Sequence, residues 1–310
     1  MRDRTVGGSG LRVSPLGLGT MTWGRDTGPD SAAEQLRDFL DAGGTLLDTS
    51  ASYADGDAER LIGDLLRTTA ARDDVVLCTK GGRNASRRAL LADLDGSLAR
   101  LGVECVDLFL VACPDPATPL AETATALRLA VTSGRARYVG LSNHPGWASA
   151  HAATLLDDVG LTALEVEYSL LQRGVEREVR PAAHALGLGL LAWSPLGRGV
   201  LTGKYRHTVP ADSRAASPHL AGFVEPYLTE RAAAVVEAVV TAAQGLGRTP
   251  AEVALAWVLA RDQVASAIVG ARTPGQLRQS LAAVDLALPA QVRAALDDVS
   301  AIDAGYPERW

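Results

Sequence analysis

Eight short apolar runs alternate with amphipathic segments along nearly the whole chain, and no other feature of the sequence limits the fold as strongly. Runs of this kind predict buried β-strands, whereas the segments between them carry apolar residues at helical spacing. Glycine closes several predicted helices before the next strand, as at Gly102, Gly134 and Gly187. This alternation predicts parallel strands joined by helices, and eight strands fit a closed (β/α)8 TIM barrel better than an open sheet.

The boundaries of these elements follow from the runs themselves. The predicted strands are residues 15–18, 45–48, 75–79, 107–111, 138–141, 163–167, 188–193 and 265–269. The predicted helices are residues 31–42, 58–66, 86–101, 120–133, 147–156, 175–186, 228–244, 250–261 and 274–284.

Three segments lie outside the alternation. The stretch 1–14 contains Gly-Gly-Ser-Gly and predicts a β-hairpin before the barrel. Residues 197–226 are rich in glycine, proline and serine and follow the seventh strand, which predicts a long loop on the active face, either an ordered lid or a mobile segment. The tail, 289–310, predicts a helix followed by an irregular end. Because no linker divides the chain, we expect one domain over residues 1–310.

Composition and charge narrow the class of protein. A hydrophobic content of 47% is ample for a large core, and a net charge of −6 with a pI near 5.4 argues against nucleic acid or an anionic membrane as partner. No apolar run approaches the roughly 20 residues of a membrane span, and the N-terminus does not resemble a secretory signal. Cys78, Cys105 and Cys113 lack metal-ligand spacing, which predicts reduced thiols in a cytoplasmic protein.

The sequence contains no motif for a metal site or for a Rossmann dinucleotide site. The five histidines are scattered and are more typical of surface or packing positions than of a metal site, so we predict no metal. No GxGxxG follows a predicted strand, so a Rossmann dinucleotide site is not indicated. The sequence leaves open whether the chain forms a homo-oligomer.

Polar residues follow two neighbouring strands and occupy the loop between them. Asp48 ends the second predicted strand, Lys80 follows the third, and Tyr53 lies in the connection. The C-terminal ends of barrel strands share one face, so these side chains could meet there. A free tyrosine has a pKa of about 10, and a neighbouring ammonium held by a carboxylate lowers it. Alternatively, Asp48 is only a capping residue, Lys80 is exposed to solvent, and Tyr53 is a half-buried packing residue.

The chain resembles the aldo-keto reductase superfamily along almost its whole length. The stretches that carry the resemblance are GLGT (17–20), LLDTSASYADGDAERLIGDLL (46–66), VVLCTKGG (75–82), DLFLVACPDP (107–116), YVGLSNH (138–144), LEVEYSLLQR (164–173), LAWSPLGRGVLTGKY (191–205) and SAIVGARTPGQL (266–277). The SPLGRGVLTGKY stretch is similar to the branch that contains bacterial reductases and the potassium channel β subunits. The resemblance implies a barrel that binds NADPH across its C-terminal face and acts on a small-molecule substrate.

Within that resemblance, the catalytic positions match Asp48, Tyr53 and Lys80. Tyr53 is then the general acid, Lys80 lowers its pKa, and Asp48 pairs with Lys80. The family usually adds a histidine after the fourth strand, but Ala112 stands there. Alanine offers no donor, and the loss of one donor from a developing-oxyanion site reduces the rate on the order of 10²–10³-fold. His144 is the nearest replacement by sequence, with packing as its alternative role.

The resemblance also implies a cofactor site built from many positions. Glu165 replaces a usual glutamine at the nicotinamide carboxamide, where it can accept but not donate a hydrogen bond. Arg272 suits the 2′-phosphate, which favours NADPH over NADH. Ser280 stands where an asparagine often contacts adenine. The matching cofactor positions are Gly19, Thr20, Met21, Ser142, Asn143, Glu165, Trp193, Ser194, Leu196, Gly199, Leu201, Lys204, Gly270, Arg272, Gln276 and Ser280.

The substrate pocket is predicted to be apolar and aromatic, which fits a ring-containing substrate. Its predicted contacts are Trp23, Tyr53, Ala112 and His144. Met21, Phe109 and Trp147 come from or near strand ends, although Phe109 could instead face the helices.

Three functions are compatible with Ala112. The first is an NADPH-dependent carbonyl reductase that is slow or uses another donor. In the second, the enzyme reduces a conjugated C=C or an imine-type bond, which needs less help at oxygen. The third is a binding protein, similar to the potassium channel β subunits, which lack the histidine and hold NADP(H) tightly. Because Asp48, Tyr53 and Lys80 are all retained, the sequence favours an oxidoreductase.

Overall fold

Eight parallel strands form a closed barrel. The structure, a computed structural model, describes residues 1–211, 213–303 and 305–306. An antiparallel hairpin of β1 (Arg4–Thr5) and β2 (Arg12–Val13) precedes the barrel. The barrel strands are β3 (Leu16–Gly19), β4 (Leu46–Asp48), β5 (Val76–Lys80), β6 (Val106–Val111), β7 (Ala136–Ser142), β8 (Leu161–Glu167), β9 (Gly189–Trp193) and β10 (Val264–Val269). Each strand pairs with the next, and β10 closes on β3, so the predicted TIM barrel and hairpin are confirmed.

Helices connect the strands and surround the barrel. They are α1 (Pro29–Asp41), α2 (Asp57–Thr68), α3 (Arg87–Leu101), α4 (Leu120–Thr132), α5 (Gly146–Leu155), α6 (Val179–Leu186), α7 (Ala221–Val224), α8 (Glu230–Leu246), α9 (Pro250–Leu259), α10 (Pro274–Leu281) and α11 (Ala290–Val299). The predicted helix over 175–186 is the main difference, because it divides into a 3-10 turn, Gly174–Glu176, and α6. Pro181 lacks an N–H and fits only the first turn of a helix, which places the start of α6 at Val179.

Apolar side chains form two layers on either side of the barrel wall. Leu46, Cys78, Leu108 and Leu110 belong to one buried cluster together with residues of the hairpin. Successive strand residues point to opposite faces, so Phe109 belongs to the second cluster, between the strands and the helices. Phe109 therefore packs against the helices, as its alternative placement predicted, and does not face the substrate pocket.

The hairpin covers the N-terminal ends of the last two strands. Arg4 Nη1 donates to the carbonyl oxygens of Leu259 and Val264, at 2.9 and 3.0 Å. Gly7 has φ +58, and a Cβ there would lie 2.2 Å from the carbonyl oxygen of Gly187, so only glycine fits this approach. With this end closed, the opposite end of the barrel remains for chemistry.

A long segment after β9 folds over that opposite end. We call residues 197–227 the lid segment. It contains the 3-10 turns Gly197–Thr202, Arg214–Ala216 and Glu225–Tyr227 together with α7. Leu220, Val224 and Tyr227 are buried, so apolar contacts hold the segment on the barrel. None of the described helices combines the length and apolar character that a membrane crossing needs.

Candidate active site

The C-terminal strand ends open into a cavity of about 580 Å³. Of the five described non-glycine residues with positive φ, Asn143, Ser194 and Arg198 line the cavity, and Ala54 and Asp55 follow Tyr53 of its wall. Such backbone conformations are unfavourable for residues with a Cβ and cluster at functional sites, where the surrounding structure enforces them. These backbone conformations therefore point to the cavity as the functional site.

Asp48, Tyr53 and Lys80 meet at the wall of this cavity. The Lys80 ammonium forms a buried ion pair with Asp48, and its Nζ lies 5.6 Å from the centroid of the Tyr53 ring. Asp48 and Lys80 end β4 and β5, which are neighbours in the barrel, and Tyr53 opens the turn between them. The structure thus brings together the three side chains that the sequence singled out, and the roles assigned to them remain predictions.

Glu165 adds a second carboxylate, and its contact with Lys80 was not predicted from the sequence. Its Oε2 lies 3.0 Å from Lys80 Nζ, and Asp48, Lys80 and Glu165 are all buried. The expected contact with a nicotinamide carboxamide therefore has to share Glu165 with the ammonium. We call Asp48, Tyr53, Lys80 and Glu165 the carboxylate cluster.

The ionisation of the carboxylate cluster is set by burial and by its own charges. Burial raises the pKa of Tyr53 well above its ordinary value, and the Lys80 ammonium only partly offsets this increase. Burial acts to lower the pKa of Lys80, but the two carboxylates together raise it well above its ordinary value. The expected net lowering of the Tyr53 pKa is therefore not found. At neutral pH the phenol keeps its proton, and Lys80 is an ammonium.

Burial and the Asp48 charge raise the pKa of Glu165 from 4.5 to about 8. Between pH 4.5 and pH 8 the folded protein holds a proton that the unfolded chain has lost, so the contribution of Glu165 to stability falls as pH rises.

We expect Glu165→Gln to raise Tm by about 2–4 °C for each kcal/mol gained in the free energy of unfolding. The gain should grow from pH 5 to pH 8. Thermal unfolding across this range measures it, and the exposed Glu104→Gln is the control. Parallel pH profiles for wild type and Glu165→Gln would contradict the expectation.

Cys78 lies beside the cluster and raises the question of a metal. Donor atoms of Asp48, Cys78 and Glu165 lie within 4.8 Å of one another. Lys80 already bonds both carboxylates, so a cation would have to displace the ammonium. Two charge-assisted contacts oppose that displacement.

Asn143 links two walls of the cavity. Its Nδ2 donates to the carbonyl oxygen of Ala112 at 2.9 Å and to Ser142 Oγ at 3.1 Å, and its Oδ1 accepts from Trp193 Nε1 at 3.0 Å. Both amide hydrogens of Asn143 are thereby used within the protein. These contacts fix the indole of Trp193 against the end of β7.

Two predicted substrate contacts lie elsewhere, while Ala112 does line the cavity. Trp23 is fully buried and donates to Gln35 Oε1 at 3.1 Å, because the turn after β3 directs the indole towards α1. His144 is buried with Nδ1 2.8 Å from the carbonyl oxygen of Ser142. Neither is among the described residues that line the cavity, so the structure does not bring Trp23 and His144 to its wall, and their contact with substrate stays a prediction.

Arg198 of the lid segment was missed by the sequence interpretation. Its guanidinium makes two contacts with the Glu167 carboxylate, at 2.8 and 2.7 Å, and donates to the carbonyl oxygen of Phe223 at 2.6 Å. It also lies 4.1 Å from the centroid of the Phe223 ring, which stacks on Trp193 at 6.5 Å. The only signal in the sequence was the length of the loop.

Because Arg198 bridges a strand end and α7, it fixes the lid segment. We expect Arg198→Lys to lose the two-point contact and the stacking, which lysine cannot reproduce. Limited proteolysis within residues 203–226 should become about tenfold faster, which corresponds to roughly 1.4 kcal/mol. The matched control is Arg206→Lys, since Arg206 makes a similar two-point contact with Glu237 on the exposed surface. Equal proteolysis rates for both variants would contradict this role.

Three basic residues line another part of the cavity, and we call Lys204, Arg214 and Arg272 the basic rim. Burial lowers the pKa of Arg214, and the Arg272 charge acts in the same direction. Ser213 Oγ is buried and lacks a hydrogen-bond partner among the described residues. Cationic groups with an unused hydroxyl suit a phosphate, and TIM barrels often bind phosphate at the ends of strands seven and eight.

The remaining predicted cofactor residues fall into two groups. Most line the cavity: Gly19, Met21, Ser142, Asn143, Glu165, Trp193, Ser194, Leu196, Gly199, Gly270, Gln276 and Ser280. Thr20 and Leu201 instead lie buried behind the wall, where Thr20 Oγ1 donates to the carbonyl oxygen of Asp48 at 2.9 Å. They support the wall rather than form it. The sequence missed Ser213 and Arg214 because the lid segment that carries them has no periodic pattern.

A barrel with this cavity, and with a tyrosine, a lysine and an aspartate at its strand ends, defines the class of protein. The chain belongs to the aldo/keto reductase family, whose profile matches residues 15–301. This membership supports oxidoreductase activity.

Curated relatives cover the chain almost completely. A probable voltage-gated potassium channel subunit beta from Oryza sativa subsp. japonica is 35% identical over 100% of this chain and 98% of that protein. L-glyceraldehyde 3-phosphate reductase from Escherichia coli K12 is 35% identical over 92% of this chain and 88% of that protein. An uncharacterized oxidoreductase, YrpG, from Bacillus subtilis is 35% identical over 95% of this chain and 94% of that protein.

Proposed function

We propose that the protein is an NADPH-dependent oxidoreductase that reduces a carbonyl, enone or imine-type group of a small organic molecule. The observation that carries the proposal is the phenol of Tyr53, which lies beside an ammonium that two buried carboxylates hold in place. The names of two relatives, a reductase and an oxidoreductase, support the same class.

The cavity fits a phosphorylated dinucleotide. Trp193, Ser142 and Asn143 line the cavity and would hold the nicotinamide, and Ser194, Leu196, Gly199 and Lys204 would hold the pyrophosphate. Arg214, Arg272 and Gln276 would hold the 2′-phosphate, with Ser280 beside adenine, and the unused Ser213 hydroxyl adds a donor. When bound, the reduced nicotinamide supplies a hydride.

The residues of the chain supply the proton and its control. The Tyr53 phenol keeps its proton at neutral pH and can donate it to an oxygen that becomes basic during reduction. The phenolate left behind is stabilised by the Lys80 ammonium, because an opposite charge nearby favours the ionised form. Asp48 and Glu165 keep Lys80 charged and immobile.

Ala112 removes one donor from the carbonyl side of this site. We expect Ala112→His to raise the turnover of small aldehydes by about 10²-fold, since a donor at a developing oxyanion contributes 10²–10³-fold. Steady-state oxidation of NADPH with a short aldehyde series measures the effect. Ala85→His, at a buried alanine before α3, controls for the added imidazole. A wild type that is already fast, and that Ala112→His does not improve, would contradict a weakened carbonyl site.

A second candidate function is a cofactor-binding partner protein with little turnover. The relative named as a potassium channel subunit beta favours it, together with the missing donor at Ala112. Tight binding of NADPH without oxidation by any tested substrate would support this candidate.

A titration followed by a substrate panel tests the proposed function. NADPH and NADH are titrated by fluorescence, and NADPH is expected to bind at least tenfold more tightly because of the basic rim. Arg214→Gln should reduce that preference while sparing NADH. Oxidation of NADPH is then followed with aldehydes, enones and cyclic imines. Absence of binding, or binding without turnover of any member, would overturn the proposed enzyme.

A further inference from the structure

The reacting part of the cavity carries more negative than positive formal charge. Two carboxylates, Asp48 and Glu165, contact one ammonium, Lys80, and all three are buried. When both acids are ionised, this set carries a charge of −1, and Tyr53 adds none while it holds its proton. Charges removed from water interact strongly with whatever enters beside them.

Within the described residues, the ion pairs of Asp48 and Glu165 are those with Lys80. The remaining charged residues of the wall are Arg198 and the basic rim. Arg198 is neutralised by its two-point contact with Glu167. The charges that act on Glu165 are those of Asp48 and Lys80, and the charges that act most strongly on Lys80 are those of Asp48 and Glu165.

A neutral carbonyl substrate is poorly stabilised beside these carboxylates while it is reduced. As a carbonyl accepts a hydride, negative charge develops on its oxygen and meets the excess carboxylate charge. Tyr53 is the remaining donor, and Ala112 supplies none through its side chain. A cationic electrophile becomes neutral when it accepts a hydride. It therefore develops no negative charge beside the carboxylates and needs no proton donor.

Resting on the proposed function, we infer that the preferred substrate is an iminium ion, a carbon–nitrogen double bond that carries a positive charge. Its reduction adds one hydride from the reduced nicotinamide to carbon, while the π pair of the double bond becomes the nitrogen lone pair. The cation thus becomes a neutral amine, the nicotinamide becomes its oxidised cation, and no proton leaves the protein. The total charge of the reacting pair stays at +1 throughout, which complements the −1 that the carboxylate cluster carries when Glu165 is ionised.

The titration of Glu165 makes the preference depend on pH. The groups that face it are Asp48 and Lys80, with Tyr53 and Cys78 beside them. A cation in the cavity favours ionised Glu165, so binding a cation releases a proton below the pKa of that carboxyl. Affinity for a permanent cation should therefore rise by up to tenfold per pH unit towards pH 8 and then level off.

The test compares two ligands of similar shape. N-methyl-3,4-dihydroisoquinolinium is a permanently charged iminium, and α-tetralone is a neutral ketone of similar size. With NADPH, kcat/KM for the iminium should exceed that for the ketone by at least 10²-fold. Glu165→Gln restores the usual family residue and should lower the iminium value by about 10–100-fold, and by at least tenfold more than it changes the ketone value.

A binding measurement gives a readout that does not depend on turnover. Calorimetry with N,N-dimethyl-tetrahydroisoquinolinium, a cation without a reducible bond, should show an affinity that rises from pH 6 to pH 8 in wild type and stays flat in Glu165→Gln. A cooperative thermal unfolding transition in both proteins confirms that the variant is folded.

The outcomes separate the inference from the proposed function. If ketones and aldehydes are reduced but the iminium is no better, or if Glu165→Gln changes neither kinetics nor cation binding, the inference is overturned and the oxidoreductase stands. If NADPH does not bind, or no panel member is reduced, the proposed function fails and the inference fails with it.

Discussion

Tyr53→Phe is expected to lower kcat/KM for a carbonyl or enone substrate by 10²–10⁴-fold, the range that a positioned general acid contributes. The change removes one hydroxyl and keeps the ring that packs against the core. Cofactor affinity should therefore stay within about threefold of wild type. Steady-state kinetics together with an NADPH titration separate the two effects, because only the proton transfer is removed.

The control for this change lies at the other end of the barrel. Tyr138 is partly buried near the hairpin, and its hydroxyl would lie 3.5 Å from a Cβ built at Gly10. Tyr138→Phe should leave kcat/KM within about twofold of wild type.

For a permanently charged iminium, Tyr53→Phe should lower kcat/KM at least ten times less than it does for the ketone, because reduction of the iminium requires no proton. Undiminished ketone reduction in Tyr53→Phe would remove Tyr53 from the mechanism.

The architecture and the meeting of three residues could be predicted because strand ends follow from pattern alone. Asp48 and Lys80 end adjacent strands, and a barrel places all such ends on one face. Neither inference requires knowledge of a rotamer. Ala112 was placed at the substrate by the family resemblance instead, and it lies on the cavity wall directly after β6.

Side-chain partners across the barrel could not be predicted in this way. Glu165 contacts Lys80 across 85 positions of sequence, and only the closed barrel brings the two together. Trp23 points to Gln35 because its turn folds inward, and His144 turns to a nearby carbonyl oxygen. The sequence fixes where each residue leaves its strand, but packing decides which way the side chain points.

The direction of the pKa shift of Tyr53 could not be predicted from the sequence either. A neighbouring ammonium lowers the pKa of a phenol, and Lys80 does act in that direction. How deeply the cavity wall buries the phenol is a property of the folded barrel, and here burial outweighs the ammonium. A proton donor for reduction must be protonated before the reaction, so this result agrees with the proposed role.

Lys80→Met should reduce the free energy of unfolding by about 3–5 kcal/mol, the typical effect of removing one partner from a buried ion pair. Asp48 and Glu165 are only 2% and 3% exposed, so neither carboxylate can recover its hydration. One of them is expected to take up a proton instead, and the loss should therefore be smaller at pH 5 than at pH 8. Urea unfolding at both pH values measures it.

A rescue experiment distinguishes lost charge pairing from lost packing. Adding Glu165→Gln to Lys80→Met removes one uncompensated carboxylate, and Asp48→Asn removes the other. Each should recover a substantial part of the loss at pH 8, and the non-additivity in a mutant cycle measures the coupling. The control is Lys204→Met, since Lys204 is the chain's other lysine and lies exposed on the lid segment. If Lys80→Met destabilises equally at both pH values and neither carboxylate change restores stability, the side chain of Lys80 contributes by filling space, and the charged cluster is not what organises this site.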